Sequence, residues 1–496
     1  MATEGRRTSA WTGHPLFRTK SVEQSIADTD EPDSKLRKEL TAWDLTVFGV
    51  AVAVGAGIFT LTAYAVGTVA GPSVSLSFVI AAIACALAAL CYAEFASTVP
   101  VAGSAYTFSY ATFGELIAWI IGWDLILEFA LAAAVVSKGW SLYLGEVLGT
   151  AAPVLQIGSR EIDWGAMLLL AVLAVVLITG TKLSSRTAAL FTAIKVTVVV
   201  FVVVFGAFYI ETQNYSPYIP PSQGGEGTGG IHQTLFSFLT GAGNSTFGWY
   251  GMLAAASLVF FAFIGFDVVA TTAEETKDPQ HALPRGILGS LAVVTVLYVA
   301  VTLVLTGMVP YTDLDEDSTL ATAFAIHGID WAKNLISFGA LAGLTTVVMV
   351  MFLGQTRVLF AMSRDGLLPR FFAHTGKHGT PVRATVLVGV VCAVLAGFFP
   401  IGDLGEMVNI GTLFAFVLVS IGVVVLRRTR PDLQRGFRVP WVPLVPILAV
   451  LACVWLMLNL AIETWLRFVI WMAIGFVVYF AYGRSHSLLG RRERAQ

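Results

Sequence analysis

Apolar residues in this chain form long runs instead of the alternating or amphipathic patterns of soluble domains. A run of about 20 apolar residues is long enough to cross a bilayer as an α-helix. The sequence predicts twelve such helices, called spans 1 to 12 here, at residues 43–67, 72–97, 110–137, 164–183, 187–210, 247–273, 286–309, 333–357, 383–399, 405–426, 441–462 and 465–482. The connecting segments are too short to hold an extramembrane domain. We therefore expect an all-α polytopic membrane protein.

Composition agrees with this pattern, because only 12% of the residues are charged and soluble domains carry about 25%. Residues 1–42 are polar and charged and contain no apolar segment, so no cleavable signal peptide is expected. We interpret them as a largely disordered tail that can become helical near Lys35–Leu40. A second short tail follows span 12, at residues 483–496.

The positive charges predict which way the spans are threaded. If the N-terminus is cytoplasmic and the spans alternate, 25 of the 30 Lys and Arg residues fall on the cytoplasmic side. Only Arg160, Lys333 and Arg467 fall on the opposite side, and Lys138 and Lys195 lie within spans or at their edges. Positive charge marks the cytoplasmic side of membrane proteins. Both termini are therefore expected in the cytoplasm.

Several classes of chemistry find no support in the sequence. The four cysteines lie inside apolar spans, where they are expected to be small buried hydrophobic residues and not disulfides. All seven histidines fall in tails or loops, so a haem or an intramembrane zinc site is not expected. Signatures of hydrolases, metalloproteases and nucleotide-binding loops are absent. We expect no enzyme, no cofactor and no nucleic-acid partner.

Ionisable residues inside membrane spans are expensive, and they are therefore candidates for function. Asp124 and Glu128 in span 3 are four residues apart and share one helix face. Span 5 carries Lys195 among apolar neighbours, and span 6 carries Asp267. The alternative is that these groups form internal ion pairs that hold the bundle together. A lysine removed from water and from counter-ions can exchange its proton near neutral pH, as a proton-coupled carrier requires.

Two glycine-containing stretches predict interruptions in spans 1 and 6. Span 1 contains VGAGIF at 54–59, and span 6 contains FAFIGFD at 261–267. These spans open two successive blocks of five, and glycine-interrupted helices at corresponding positions indicate the binding site of secondary transporters built from inverted repeats. Taken alone, the span 1 stretch also fits a small-residue packing seam between helices. The matching stretch in span 6 favours a binding site.

An interrupted span 1 suits a zwitterionic ligand. The second half of the helix would begin near Ala56–Ile58, where free N–H groups and the positive end of the helix dipole attract a carboxylate. The first half would end near Ala53, whose carbonyl can accept a hydrogen bond from an ammonium group. Span 6 can add the carbonyls of Phe261 and Ile264.

The chain resembles the amino acid–polyamine–organocation (APC) superfamily, and within it the cationic amino acid transporter family and its bacterial relatives. The resemblance extends across spans 1 to 10, in VGAGIF, YAEFASTVPVAGSAYTFSYATFGE (92–115), GWDLILEFA (122–130), VSKGWSLYL (136–144), FFAFIGFDVVATTAEETKDPQHALPRGI (260–287), LGQTRVLFAMSRDGLLP (353–369) and VNIGTLFAFVLVSIGVVVLRRTRPD (408–432). It implies a leucine-transporter-like core of two inverted five-helix repeats at 43–211 and 247–427. Two extra helices would follow at 441–482.

The resemblance also implies roles for individual residues. The substrate carboxylate would meet the N–H groups of Ala56, Gly57 and Ile58, and its amino group the carbonyls of Ala53, Phe261 and Ile264. Phe261 would also gate the site. Three further residues would line or border the pocket: Glu128, Asp267 and Met351. Lys195 would stand where sodium binds in sodium-coupled relatives, which implies coupling to protons and not to sodium.

These observations predict a secondary active amino acid transporter in the plasma membrane. Its partners would be a small amino acid, protons and the lipid bilayer, and its oligomeric state stays open. Proton-coupled symport of L-amino acids is the first hypothesis, and exchange of amino acids or amines, including basic amino acids, is the second. A non-transporting amino acid sensor would need a signalling domain, for which the tails are too short. A channel would need an open pore lining in place of a site at the midplane.

Overall fold

The computed structural model of the chain describes residues 18, 39–99, 104–150, 153–157, 160–179, 185–224, 230–241, 245–374 and 380–495. Most of the predicted N-terminal tail lies outside these residues. The described chain is mostly helical. This agrees with the prediction of a polytopic helical membrane protein, although two short antiparallel sheets depart from an all-α fold.

Eight helical segments are long and apolar enough to cross a membrane: Gly57–Thr98, Glu115–Leu148, Leu190–Tyr209, Gly248–Ala270, Pro279–Met308, Asp330–Arg364, Ile401–Thr429 and Ile462–His486. Four shorter apolar helices complete the series, at Ala42–Ala53, Trp164–Ile178, Val382–Phe398 and Leu444–Leu458. Each predicted span thus coincides with helix, although Gly57–Thr98 contains both the second half of span 1 and all of span 2. Gly71, with φ of +64°, marks the corner between them. The count of twelve membrane crossings stays a prediction.

Short elements connect the spans, and the apolar pattern did not predict them. Helices of 6 to 9 residues lie at Ser104–Thr112, Leu235–Thr240, Leu320–Ile326 and Leu488–Ala495. One antiparallel hairpin pairs Val154–Ile157 with Arg160–Asp163, and a second antiparallel pair joins Gln223–Gly224 to Ser245–Thr246. The first hairpin positions span 4, because the Asp163 carboxylate accepts a hydrogen bond from the N–H of Ala166 at 3.0 Å.

Span 3 lies at the centre of the bundle, packed against spans 8 and 10. Two of its tryptophans also hold span 12. The indole N–H of Trp119 donates to the carbonyl of Gly475 at 3.0 Å, and that of Trp123 donates to the carbonyl of Trp471 at 2.9 Å. The rings of Trp123 and Trp471 stack with centroids 4.5 Å apart. Span 12 is therefore docked on the core by directed contacts.

A buried ion pair joins span 2 to the segment between spans 10 and 11. The Glu94 carboxylate receives two hydrogen bonds from Arg427, at 2.8 and 2.5 Å, and one from the N–H of Val439 at 2.7 Å. Arg435 lies 3.4 Å from the same carboxylate. Glu94 is only 2% exposed. Removal of its charge would leave two guanidinium groups without their anion.

We therefore expect Glu94→Gln to destabilise the fold strongly. Breaking one side of a buried pair costs about 3–5 kcal/mol. The measurement is unfolding by denaturant in detergent micelles. Asp432→Asn is the matched control, because Asp432 pairs with Arg430 at the surface, where such pairs contribute little. Equal stability of both variants would contradict this role of Glu94.

Candidate functional site

Span 1 is interrupted where its glycines predict. The first helix ends at Ala53, Val54 leaves helical geometry with ψ of 87°, and helical residues resume at Ala56. The next turns, Gly57–Leu61, are a wide π-helix. The midplane of span 1 therefore has backbone groups that its own helix does not use.

The donors at this interruption differ in part from the predicted set. Within the described residues, the N–H groups of Gly55, Ala56 and Gly57 donate no hydrogen bond. The N–H of Ile58 is occupied, because it donates to the carbonyl of Gly55 at 3.2 Å. The free donors are thus shifted by one residue, toward Gly55.

Span 6 is interrupted at the matching place. Its first part ends as a 3₁₀ turn at Phe260–Phe263, and a second 3₁₀ stretch runs from Asp267 to Glu275. Gly265 between them has φ of +132°, which favours glycine over other residues. The Asp267 carboxylate accepts a hydrogen bond from the N–H of Gly265 at 3.1 Å. Asp267 therefore closes the turn that precedes the second half of span 6.

The two interruptions pack directly on each other. A methyl group added at Gly57 would lie against the backbone of Ala262, 2.9 Å from its nitrogen. One added at Gly265 would lie 2.8 Å from the nitrogen of Ala53. Each glycine thus lets one broken helix approach the backbone of the other. The site is formed by both interruptions together.

Two of the three predicted acceptors already have donors within the chain. The Ala53 carbonyl accepts a hydrogen bond from the Tyr298 hydroxyl at 2.6 Å, and the Phe261 carbonyl accepts one from the N–H of Ile264 at 3.1 Å. A carbonyl oxygen has two lone pairs and can accept a second donor. The carbonyl of Ile264 accepts no hydrogen bond within the described residues, which leaves it the most available acceptor.

Sequence reasoning missed Tyr298 of span 7. The side chain is fully buried, and its ring packs against Phe263 at 5.4 Å and Phe78 at 5.8 Å. The hydroxyl of Tyr298 is one of few polar groups in the apolar span 7. This is the only feature of the sequence that could have indicated its role. Tyr298 fixes the end of the first half of span 1.

Tyr298→Phe should cost about 1–3 kcal/mol, because it leaves the buried Ala53 carbonyl without its donor. Unfolding in detergent micelles measures the change. Tyr215→Phe is the control, since Tyr215 donates to the Leu303 carbonyl of the same span at an exposed position. A loss no larger than that of the control would mean that the Ala53 carbonyl finds another donor.

Lys195 joins span 5 to the first half of span 1. It is 1% exposed, and its ammonium donates to the carbonyl of Ala51. Its methylene groups pack against Gly343 of span 8, where an added methyl would lie 3.1 Å from Cδ. In the described part of the chain, no carboxylate lies within ion-pair distance of Lys195. The alternative of an internal ion pair therefore finds no support at this residue.

Of the two acids of span 3, Glu128 lies near Asp267 of span 6, and Asp124 lies against span 10. Glu128 is 2% exposed and lies close to the hydroxyl of Thr412. Asp267 and Asp124 are near enough for their carboxylates to interact electrostatically with that of Glu128. Asp124 is fully buried, lies against Gly411 of span 10, and has no hydrogen-bond partner among the described residues. Neither acid forms an ion pair in that part of the chain.

Span 8 approaches the site with Val347. A methyl added at Gly55 would lie 3.3 Å from Cγ1 of Val347. Met351 is buried one helical turn further along, on the same face. The role of Met351 therefore stays a prediction. Val347 is the residue of span 8 that contacts the Gly55 position, beside the free N–H groups.

All the predicted site residues are buried. Exposed fractions are 6% or less at Ala53, Ala56, Ile58, Glu128, Lys195, Phe261, Ile264, Asp267 and Met351, and Gly57 is buried as well. The structure therefore has the site closed from both sides. A substrate can enter only if the surrounding spans move.

Comparison with known proteins decides the family. Residues 40–480 match the sequence model of the family described as "Amino acid permease". The chain belongs to the amino acid permease family. This confirms the resemblance to the APC superfamily, and the protein is a multi-pass membrane transporter of amino acids and not an enzyme.

Individual relatives support the same family. The chain is 44% identical to the branched-chain amino acid permease BcaP of Bacillus subtilis, over 96% of this chain and 99% of the relative. It is 42% identical to the methylthioribose transporter of the same organism, with the same coverage. A vacuolar cationic amino acid transporter 4 of Arabidopsis thaliana is 30% identical over 96% of each chain. The names of these relatives give different substrates.

Proposed function

We propose that the protein is a secondary active transporter that carries L-amino acids together with protons by alternating access. The observation that carries this proposal is the pair of interruptions. The free N–H groups of Gly55, Ala56 and Gly57 provide donors for a carboxylate, and the carbonyls of Ile264 and Ala53 provide acceptors for an ammonium. Burial of both sets in a closed site fits the occluded stage of such a cycle.

In this proposal the fold is a leucine-transporter-like core of two inverted five-helix repeats, at about 43–211 and 247–427. Spans 11 and 12, within 441–482, are additions to it. The positive charges support a plasma-membrane orientation with the tails 1–42 and 483–496 in the cytoplasm. The movement of one repeat relative to the other would open the site alternately to each side.

Lys195 would couple transport to protons. It touches span 1 three residues before the interruption, so a change in its charge alters the contact with the Ala51 carbonyl. While Lys195 is protonated, its ammonium also repels a sodium ion at this place. The proton is therefore the coupling ion that these contacts favour.

We further propose an aliphatic L-amino acid as the substrate. The Asp267 carboxylate already accepts a hydrogen bond from the N–H of Gly265, which makes it less available to a basic side chain. Val347 provides an apolar surface next to the free donors. The 44% identity to a branched-chain permease supports the same choice.

A thermal-shift screen tests the substrate class. The purified protein is heated with each of the twenty amino acids, with polyamines and with methylthioribose, because a ligand that binds only the folded state stabilises it in proportion to its concentration. Leucine, isoleucine and valine should give the largest shifts. A shift with lysine or arginine alone would replace the aliphatic assignment, and a shift with methylthioribose alone would contradict the zwitterion site.

Exchange of one amino acid or amine for another is the alternative mode. Counterflow that persists without any gradient, together with the absence of net uptake, would favour it. The same closed site serves either mode, so the distinction rests on transport measurements.

A further inference from the structure

A separate basic cavity of about 270 Å³ lies at the end of the bundle that the charge pattern predicts to face the cytoplasm. It is formed where span 8 ends, where span 12 ends, and where the C-terminal helix Leu488–Ala495 begins. The cavity is lined by Arg364, Gly366, Arg370, Tyr482, His486, Leu488 and Arg491. The transport site described above uses none of these residues.

Three arginines converge on this cavity from two stretches of the chain, residues 364–370 and the C-terminal helix. In the described part of the structure, Arg364, Arg370 and Arg491 form no ion pair. Asp365 follows Arg364 directly in the sequence, but its carboxylate accepts a hydrogen bond from the Tyr106 hydroxyl at 2.7 Å and forms no ion pair with Arg364 in the described structure. Three like charges around one cavity repel each other unless an anion lies between them.

A histidine adds a further donor. The ring of His486 stacks on that of Tyr482, with centroids 4.1 Å apart and planes 5° apart. Its Nδ1 lies 3.0 Å from the Tyr482 carbonyl and 2.8 Å from the Ser485 hydroxyl. The ring orientation is thereby fixed, and Nε2 is the nitrogen that remains for a ligand.

The backbone around the cavity is held by contacts between its segments. The N–H of Leu488 donates to the carbonyl of Asp365 at 3.0 Å. Gly366 has φ of +81°. A methyl group added to it would lie 3.3 Å from the carbonyl carbon of His486, so the two backbones approach closely here. These contacts tie the C-terminal helix to the end of span 8, so the arginines are presented on a preformed support.

We infer that this cavity binds a phosphate group. Planar guanidinium groups bind pairs of phosphate oxygens with two parallel hydrogen bonds, and several together favour a multiply charged anion. The cavity lies at the ends of two membrane helices, where phospholipid headgroups are found. Basic pockets between membrane helices on the cytoplasmic side are typical sites for such headgroups. Soluble phosphate compounds present the same chemistry.

Native mass spectrometry of the delipidated full-length protein tests the inference. Phosphatidylglycerol is titrated against phosphatidylcholine, and inorganic phosphate is tested separately by thermal shift. The test variant is Arg364→Gln/Arg370→Gln/Arg491→Gln. The matched control is Arg285→Gln/Arg428→Gln/Arg438→Gln, which removes the same charge from exposed arginines that have no ion pair in the described structure. Comparison with this control separates a defined pocket from general surface charge.

The wild type and the control should retain phosphatidylglycerol, and the pocket variant should bind it about tenfold more weakly or worse, because several charge-assisted hydrogen bonds are lost. Stabilisation by inorganic phosphate alone, abolished in the pocket variant, would assign the site to soluble phosphates. Binding of the lipid only would assign it to a headgroup. Equal binding by the pocket and control variants would overturn the inference. Preserved amino acid binding in the pocket variant shows that it is folded.

Discussion

Lys195→Ala should abolish proton-driven accumulation of the amino acid. The ammonium of Lys195 is the charged group that contacts span 1 beside its interruption, and without it protonation no longer changes that contact. Uptake into proteoliposomes should become the same with and without an inward proton gradient. Thermal stabilisation by the substrate should persist, because the N–H groups of Gly55, Ala56 and Gly57 are untouched.

Two further variants define the role of Lys195. Lys195→Gln keeps a donor for the Ala51 carbonyl but cannot change its charge, so we expect it to lose coupling as well. Restored coupling in this variant would mean that the lysine only supplies a hydrogen bond. Lys333→Ala is the control, because Lys333 is ion-paired with Glu146 at 2.7 Å. It should transport like the wild type.

Gly57→Ala should weaken substrate binding about tenfold to hundredfold. Its methyl group would push against the backbone of Ala262, and overpacking of this kind costs about 1–3 kcal/mol. The displaced segment is the one that carries the free N–H groups, so binding suffers directly. Isothermal titration or a concentration-dependent thermal shift measures the affinity.

Gly405→Ala of span 10 is the matched control for this substitution. Its added methyl would lie 3.7 Å from the nearest side-chain atom, which is an ordinary contact. Alanine is a better helix former than glycine by about 1 kcal/mol, so this variant should be unchanged or slightly more stable. If Gly57→Ala bound substrate as well as this control, the packing of the two interruptions would not define the site.

The sequence predicted the features that depend on local pattern. Long apolar runs predict membrane helices wherever they occur, and each predicted span coincides with helix. Gly265 beside Asp267 predicted the interruption of span 6, because only local backbone chemistry is needed to break a helix. The structure adds the reason for Gly57 and Gly265, which is the close approach of two backbones far apart in the chain.

Features that depend on distant contacts were not predictable. The hydroxyl of Tyr298 meets a carbonyl 245 residues earlier in the chain. Val347, and not Met351, lies beside Gly55. Which of the two does so depends on the position of span 8 along its own axis, and the sequence of a continuous apolar helix does not reveal that position. The hydrogen bond from the N–H of Gly265 to Asp267 depends on the geometry of the break itself.

Leucine uptake into proteoliposomes containing the wild-type protein tests the central claim most directly. An inward proton gradient without sodium should drive accumulation above the external concentration, and an uncoupler that collapses the gradient should reduce uptake to equilibration. Accumulation that is unaffected by the uncoupler, or that requires sodium, would contradict the account.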